Sequence, residues 1–318
     1  MARNGGQIAD TRDLAARAAW LSLVGGLTQD QIAFELGISR QRAQRLVARA
    51  YAEKLVRVRI DHPIAECLER EQALKAEYGL ESAWVSPSLG PSVDVLTGLA
   101  PFAASILEQV FRNGQGQVFA LGTGRTLQQV VESISTMDGA RHRLVSLIGN
   151  VAPDGSASLY EVIVRLAEKL AAPHFPLSIP LISPSLEVSG LYRSLPHVRK
   201  ARQLAESADL AIVGIGQMTK DAPLFVDGFI TEEERQDLVA AGAIGELSGH
   251  TFNAKGEFVD HPMNQRIVGV RVPVNDVPVL CIGAGKAKVA PLRAALSGGL
   301  IHQLITDEDT ARRLLGSG

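Results

Sequence analysis

Gly122-Thr123-Gly124-Arg125-Thr126 brings two glycines, two hydroxyls and a guanidinium together in five consecutive positions. The loop follows an apolar run and opens an amphipathic one, so its backbone N–H groups and the positive end of a helix dipole favour an anion. It lacks the GxGxxG spacing of a dinucleotide site and the lysine of a P-loop. Two more glycine-bearing stretches follow apolar runs: Val213-Gly214-Ile215-Gly216-Gln217 and Ile282-Gly283-Ala284-Gly285-Lys286-Ala287-Lys288. Lys288 stands where a helix begins and is placed to neutralise a phosphate or carboxylate. Glu246 and Asn253, in the glycine-rich stretch 242–256, have the groups to exchange hydrogen bonds with sugar hydroxyls. The plainer alternative is that these glycines only permit tight strand-to-helix turns.

A second constellation lies near the N-terminus. Thr28 is a cap residue for a helix that Gly37 ends, and Ser39 can cap the next, from about Arg40 to Ala50. Ala43, Leu46, Val47 and Ala50 share one face of that helix, which leaves Gln41, Gln44 and Arg45 on the other, flanked by Arg42 and Arg49. Two short helices joined by a glycine-containing turn form a helix-turn-helix, whose second helix can enter a major groove. Arg bonds guanine and Gln bonds adenine bidentately, so Gln41, Gln44 and Arg45 are candidate base readers and Arg42 and Arg49 candidate phosphate contacts. Thr28, Gln29, Ser39 and Arg40, at the helix starts, complete the DNA-facing set. A structural three-helix bundle with a solvated basic face is the alternative.

The charge distribution bears on that choice. Residues 1–60 hold 10 Lys+Arg against 5 Asp+Glu, a balance of +5, whereas the remainder holds 22 against 29, a balance of −7. The net −2 thus conceals a basic module fit for a polyanion and a mildly acidic body that is not.

Other chemistry finds little support. Seven histidines are scattered without HxxxH or HExxH spacing, so no metal site is expected. The only cysteines, Cys67 and Cys281, form no CxxC pair, so neither a disulfide framework nor a thiolate zinc site is expected, and the compartment should be reducing and cytoplasmic. No GxSxG elbow occurs. No run of 18 apolar residues exists, which removes a spanning helix, and 5% aromatics argue against a stacking surface for single-stranded nucleic acid.

The elements that must position these residues follow from periodicity. Residues 12–25 read as a first helix, and Leu55 to Ile60 as a strand carrying Arg57 and Arg59 on one face, their role undecided. Asp61-His62-Pro63 marks a joint, then a helix from Ile64 to Tyr78. Beyond it, apolar runs at 83–85, 117–121, 143–148, 177–181, 209–214, 277–282 and 304–306 alternate with helical stretches at 95–112, 126–135, 159–171, 231–241 and 287–297, before a C-terminal helix. Such alternation predicts a doubly wound α/β domain with a parallel sheet. The domain boundary is expected near residue 60, giving a helix-turn-helix at 1–60 and an α/β domain at 61–318.

Leu27-Thr28-Gln29 through Arg45, taken with Gly122 to Thr126, Ala208 to Gly216, Gly242 to Glu246, Phe252 to Gly256, Lys288 and Ser297 to Ile301, resembles the SorC family of bacterial sugar-sensing transcriptional regulators over nearly the full length. The resemblance implies an effector domain related to ribose-phosphate isomerase and glucosamine-phosphate deaminase. It also implies a homodimer or homotetramer on double-stranded operator DNA of sugar-catabolic genes, with a sugar, polyol or sugar phosphate as effector. Position by position, it puts a phosphate-binding loop on Gly122, Thr123, Gly124, Arg125 and Thr126, a hydroxyl-binding acid on Glu246, and a basic effector contact on Lys288. Gly216, Gln217 and Asn253 complete the expected effector set. Glu246 and Asn253 stand where many relatives have Asp. No cofactor and no catalytic residue are expected, the competing class being a sugar-phosphate isomerase or deaminase with an accessory basic module.

Overall fold

The computed structural model describes residues 4–56, 64–152, 155–156 and 161–316, and the chain divides into two compact units, Met1–His62 and Pro63–Gly318.

The first unit is α1 (Asn4–Leu23), α2 (Gln29–Leu36) and α3 (Arg40–Ala52). Its core joins Ala15, Ala18 and Ala19 of α1, Ile32 and Ala33 of α2, and Ala43, Leu46, Val47 and Ala50 of α3. Small alanines on all three helices let the backbones approach closely. The first helix starts well before the expected residue 12. Leu55 and Val56 belong to no strand, and residues 57–63, including Arg57, Arg59 and the Asp61-His62-Pro63 joint, lie outside the described residues.

The second unit opens with α4 (Ala65–Tyr78), β1 (Ser82–Ser86), α5 (Val95–Asn113), β2 (Val118–Leu121), α6 (Arg125–Ser133), β3 (Arg143–Val151), α7 (Val162–Leu170) and β4 (His174–Pro180). It continues with α8 (Leu186–Ser194), α9 (Pro196–Glu206), β5 (Leu210–Val213), β6 (Gly216–Gln217), α10 (Pro223–Val226), α11 (Glu232–Ala240), β7 (Gly245–Leu247), β8 (His250–Phe252) and α12 (Pro262–Arg266). β9 (Val279–Ile282), a 3-10 turn (Lys286–Lys288), α13 (Val289–Ser297), β10 (Gln303–Asp307) and α14 (Glu308–Leu314) close it.

Seven strands form one sheet in the order β1-β10-β9-β5-β2-β3-β4, with every pairing parallel. Alternate strand residues feed two cores, as a sheet covered on both faces requires. Val118, Ala120, Ala211, Val213, Val279 and Cys281 pack with α4, α9, α13 and α14. Phe119, Leu121, Leu210, Ile212, Leu280 and Ile282 pack with α5, α6 and α7. The chain runs outward from β2 through β3 and β4, then returns to lay β5 on the other side of β2. The β2/β5 junction is therefore the switch point where an open α/β sheet leaves a crevice beyond its carboxyl ends.

Two features go beyond the periodicity. β6, β7 and β8 make a separate antiparallel sheet, and α8 and α9 fill the stretch between β4 and β5. Among the described residues no helix is long and apolar enough to cross a membrane, and no cluster of three or more His, Cys, Asp or Glu is arranged to hold a metal ion.

Candidate functional site

A cavity of about 440 Å³ opens at the switch point. Gly122, just after β2, donates its N–H to the Ile212 carbonyl of β5 at 2.9 Å, and a Cβ there would stand 3.5 Å from the Val213 Cα. The loop then turns through Gly124 at φ +120° into α6, a conformation that a side chain would strain. Among the described residues no side chain caps α6, and the first N–H groups of such a helix end are suited to an anion. Gly122, Thr123, Gly124, Arg125 and Thr126 all line the cavity.

Gln217, Glu246 and Lys288 line it too. Lys288, in the 3-10 turn after β9, donates from Nζ to Gln217 Oε1, while Gln217 Nε2 donates to the Asp221 carbonyl at 3.0 Å. Glu246 lies on β7 and accepts the Gly249 N–H on Oε2 at 2.7 Å. Burial raises the Glu246 pKa, opposed by the Gly249 N–H and by Lys288. Burial lowers that of Lys288, opposed by Glu246 and reinforced by Arg125. An anion is thus offered two cations and a helix N-terminus, with a carboxylate beside them that can accept from hydroxyls.

Two predicted residues stand differently. Gly216 is not in the cavity wall but pairs with Glu246 across β6 and β7. Asn253 is not in the wall either. Its Oδ1 accepts the Lys255 and Glu257 N–H groups at 2.9 and 3.1 Å, and its Nδ2 reaches Glu257 Oε2 at 3.0 Å, so its polar groups build the turn after β8.

Asp94, Gln129, Asp227, Phe229 and Ser248 also line the cavity and were not read from the sequence. Asp94 had a visible signal as the cap of α5, where it accepts the Leu96 N–H at 3.1 Å. Asp227 and Phe229 come from an irregular stretch, and Ser248 from a turn, where periodicity is silent. With these additions, Glu246 is not the only carboxylate in the cavity.

In the helical unit, Thr28 and Gln31 form a reciprocal capping box: Gln31 N–H donates to Thr28 Oγ1 at 3.4 Å and Thr28 N–H to Gln31 Oε1 at 2.8 Å. Gly37 ends α2 in the left-handed region at φ +63°, and Ser39 Oγ caps α3 by accepting the Arg42 N–H at 3.3 Å. Thr28 and Ser39 therefore already serve the backbone. Arg40, Gln41, Arg42, Gln44 and Arg45 are exposed together on α3. Arg40 also lies 3.6 Å from Asp30, Arg45 Nε donates to the Gln41 carbonyl at 3.4 Å, and Arg49 is paired with Glu53. Gln29 has a buried Oε1 without a hydrogen-bond partner among the described residues.

Comparisons with known proteins agree with this arrangement. The family model described as "Putative sugar-binding domain" matches residues 62–316. The erythritol catabolism regulatory protein EryD of Brucella abortus (strain 2308) is 33% identical over 311 residues, 97% of this chain and 98% of that protein. The transcriptional regulator LsrR of Enterobacter sp. (strain 638) is 32% identical over 95% of this chain and 93% of that protein. Among solved structures, the full-length sorbitol operon regulator SorC from Klebsiella pneumoniae is similar with a TM-score of 0.73 at 26% identity, covering 95% of this chain and 98% of that one. A DeoR family transcriptional regulator from Listeria monocytogenes shares the fold, with a TM-score of 0.73 at 21% identity over 78% of this chain and 99% of that one. With a capped helix-turn-helix ahead of a matched α/β unit, and relatives that span nearly all of both chains, the protein belongs to the SorC family of sugar-binding transcriptional regulators.

Proposed function

We propose that the protein is a transcriptional regulator of carbohydrate or polyol catabolism genes, gated by a small polyhydroxylated effector held in the switch-point cavity. The observation that carries this reading is the presence in one chain of a capped, outwardly basic α3 and a cavity in which Arg125, Lys288 and Glu246 meet. α3 reads base edges through Gln41, Gln44 and Arg45, and Arg42 holds phosphate. Because one such helix spans only a few base pairs, the chain binds paired half-sites as a homodimer or homotetramer. In the cavity, Arg125, Lys288, Thr123, Thr126 and the α6 N-terminus take an anionic end, and Glu246 accepts from hydroxyls. Tetritols and their phosphates are the first probes, since the relative EryD is named for erythritol catabolism. A thermal-shift screen against tetritols, pentoses, hexoses and their phosphates tests the effector half: a bound member raises the melting temperature, and no shift with any of them contradicts the reading.

A second reading, sugar-phosphate isomerisation or deamination, draws on Asp94, Asp227 and Glu246 sharing one cavity, since such chemistry uses a positioned acid and base. We favour a non-enzymatic sensor, which reports concentration by releasing its ligand unchanged. Following bound sugar phosphates by NMR for hours separates the two, with no conversion expected. Turnover near one per second, abolished by Glu246→Gln, contradicts the sensor.

A further inference from the structure

A second pocket, of about 380 Å³, is lined by Lys286, Val289, Arg293, Arg313 and Gly316, none of which lines the switch-point cavity. Its three cations come from three elements: Lys286 from the 3-10 turn, Arg293 from α13 and Arg313 from α14. No carboxylate lines it. Among the described residues none of the three cations has an ion-pair partner. Residues 61–318 hold 22 Lys+Arg against 29 Asp+Glu, so a carboxylate is the commoner neighbour to expect. The acids of α14 are committed elsewhere: Glu308 lies 3.0 Å from Arg70 and accepts the Ser88 N–H at 3.2 Å, while Asp309 is paired with Arg312 and accepts from Ser88 Oγ at 2.7 Å.

The local backbone adds to the charge. Among the described residues no side chain caps α13, whose first residue, Val289, is in the pocket wall, so the positive end of the helix dipole stands beside the cations. The C-terminus of α14 opposes it, but there Arg293 Nη2 donates to the Arg313 carbonyl at 2.6 Å, which answers one end carbonyl and holds the guanidinium in place. Like charges gathered without a counterion repel one another, and an anion between them removes that cost. A hollow of this size suits a small molecule, and guanidinium forks match the oxygens of a phosphate group. Cations drawn from three elements around one hollow favour a compact, multiply charged group over an extended polyanion. We propose that this pocket is a second anion site, separate from the effector cavity, which takes a phosphate dianion, either free or as the phosphate group of a small metabolite. Lys286 and Lys288 belong to one three-residue turn, so an anion held here borders the turn that carries the cavity's lysine.

The test is calorimetry on the full chain at low and equal ionic strength, with inorganic phosphate, diphosphate and glycerol 2-phosphate as probes. Because the effector cavity also offers cations, the double variant Arg125→Ala/Lys288→Ala serves as the background. One site for at least one probe should remain in it. Adding Lys286→Gln and Arg313→Gln should weaken that site at least about tenfold, the scale of one charge-assisted hydrogen bond. Both side chains are exposed, so the melting temperature without probe should equal or exceed that of the background. Tighter binding of phosphate or diphosphate identifies a free inorganic anion, and tighter binding of glycerol 2-phosphate a phosphorylated metabolite. A background variant that binds none of the probes overturns the proposal, as does unchanged affinity after Lys286→Gln and Arg313→Gln. A loss confined to DNA affinity in anisotropy titrations, or to self-association in sedimentation, also overturns it and gives the pocket to a macromolecule.

Discussion

Glu246 occupies the space that a side chain on Gly216 would need: a Cβ there would stand 2.1 Å from Glu246 Oε1 and 2.7 Å from its Cγ. The two are cross-strand partners in the small sheet beside the cavity, so any effect of Gly216 on a ligand is expected to run through the placement of Glu246. Gly216→Ala should displace the carboxylate, costing about 1–3 kcal/mol of stability as an overpacking change. Effector affinity measured by calorimetry should fall with it, and unchanged affinity would separate Gly216 from the site.

Glu246→Gln should affect the empty and the liganded protein in opposite senses. Burial raises the Glu246 pKa in the fold, so the buried anion burdens the native state above the carboxylate's ordinary range, and the burden vanishes as pH falls and the group is neutral in both states. The glutamine variant should therefore melt higher than the parent at neutral pH. That gap should close below about pH 4.5, while effector affinity is lost at neutral pH. Thermal melts from pH 4 to 8 check the sign.

His250 supplies an independent pH signal. It is buried on β8, its Nδ1 has no hydrogen-bond partner among the described residues, and burial, aided by Arg271 and opposed by a hydrogen bond with the Ser248 backbone, lowers its pKa to about 3. The unfolded chain binds a proton near pH 6.5 that the fold refuses. Stability from this residue is thus present above 6.5 and declines on acidification toward 3, by up to about 1.4 kcal/mol per pH unit. Denaturant titrations should show that slope reduced in His250→Gln, and an unchanged slope would remove His250 as its source.

On the DNA side, Arg45→Ala should cost about 1–3 kcal/mol and relax preference at one base position. Arg42→Ala should weaken binding evenly across sequences and flatten its salt dependence. Arg49→Ala should flatten it less, because Glu53 already holds that guanidinium. Anisotropy titrations at several salt concentrations distinguish the three.

The parallel sheet and the backbone course of the Gly122–Thr126 loop were legible because both depend on local signals: apolar runs of strand length, and glycines where the backbone must turn or approach closely. Gly122 and Gly124 behave as their loop suggested. Asn253 stands outside the cavity wall, and the sequence does not show that, because a polar residue in a glycine-rich stretch reads alike whether it faces a ligand or folds back on its own turn, as it does onto Lys255 and Glu257. Asp227, Phe229 and Ser248 could not be found that way, since they reach the cavity through segments whose course is set by the packing of β6, β7 and α10 rather than by any repeat. α8 and α9 went unread although Pro196 stands in the first turn of α9, where proline favours a helix start.

If an effector gates the protein, a ligand in the cavity must alter the grip of α3 on DNA. The direct measurement is fluorescence anisotropy of the full chain on the duplex upstream of the genes adjoining its own, with and without a polyol or sugar phosphate that raises its melting temperature. Sequence-specific binding is expected, with an affinity that the ligand changes at least about fivefold, a typical lower coupling, and with Arg125→Ala and Lys288→Ala keeping the unliganded DNA affinity and losing the response. DNA affinity that is the same with and without saturating ligand, or specific binding that survives removal of residues 1–60, would contradict it.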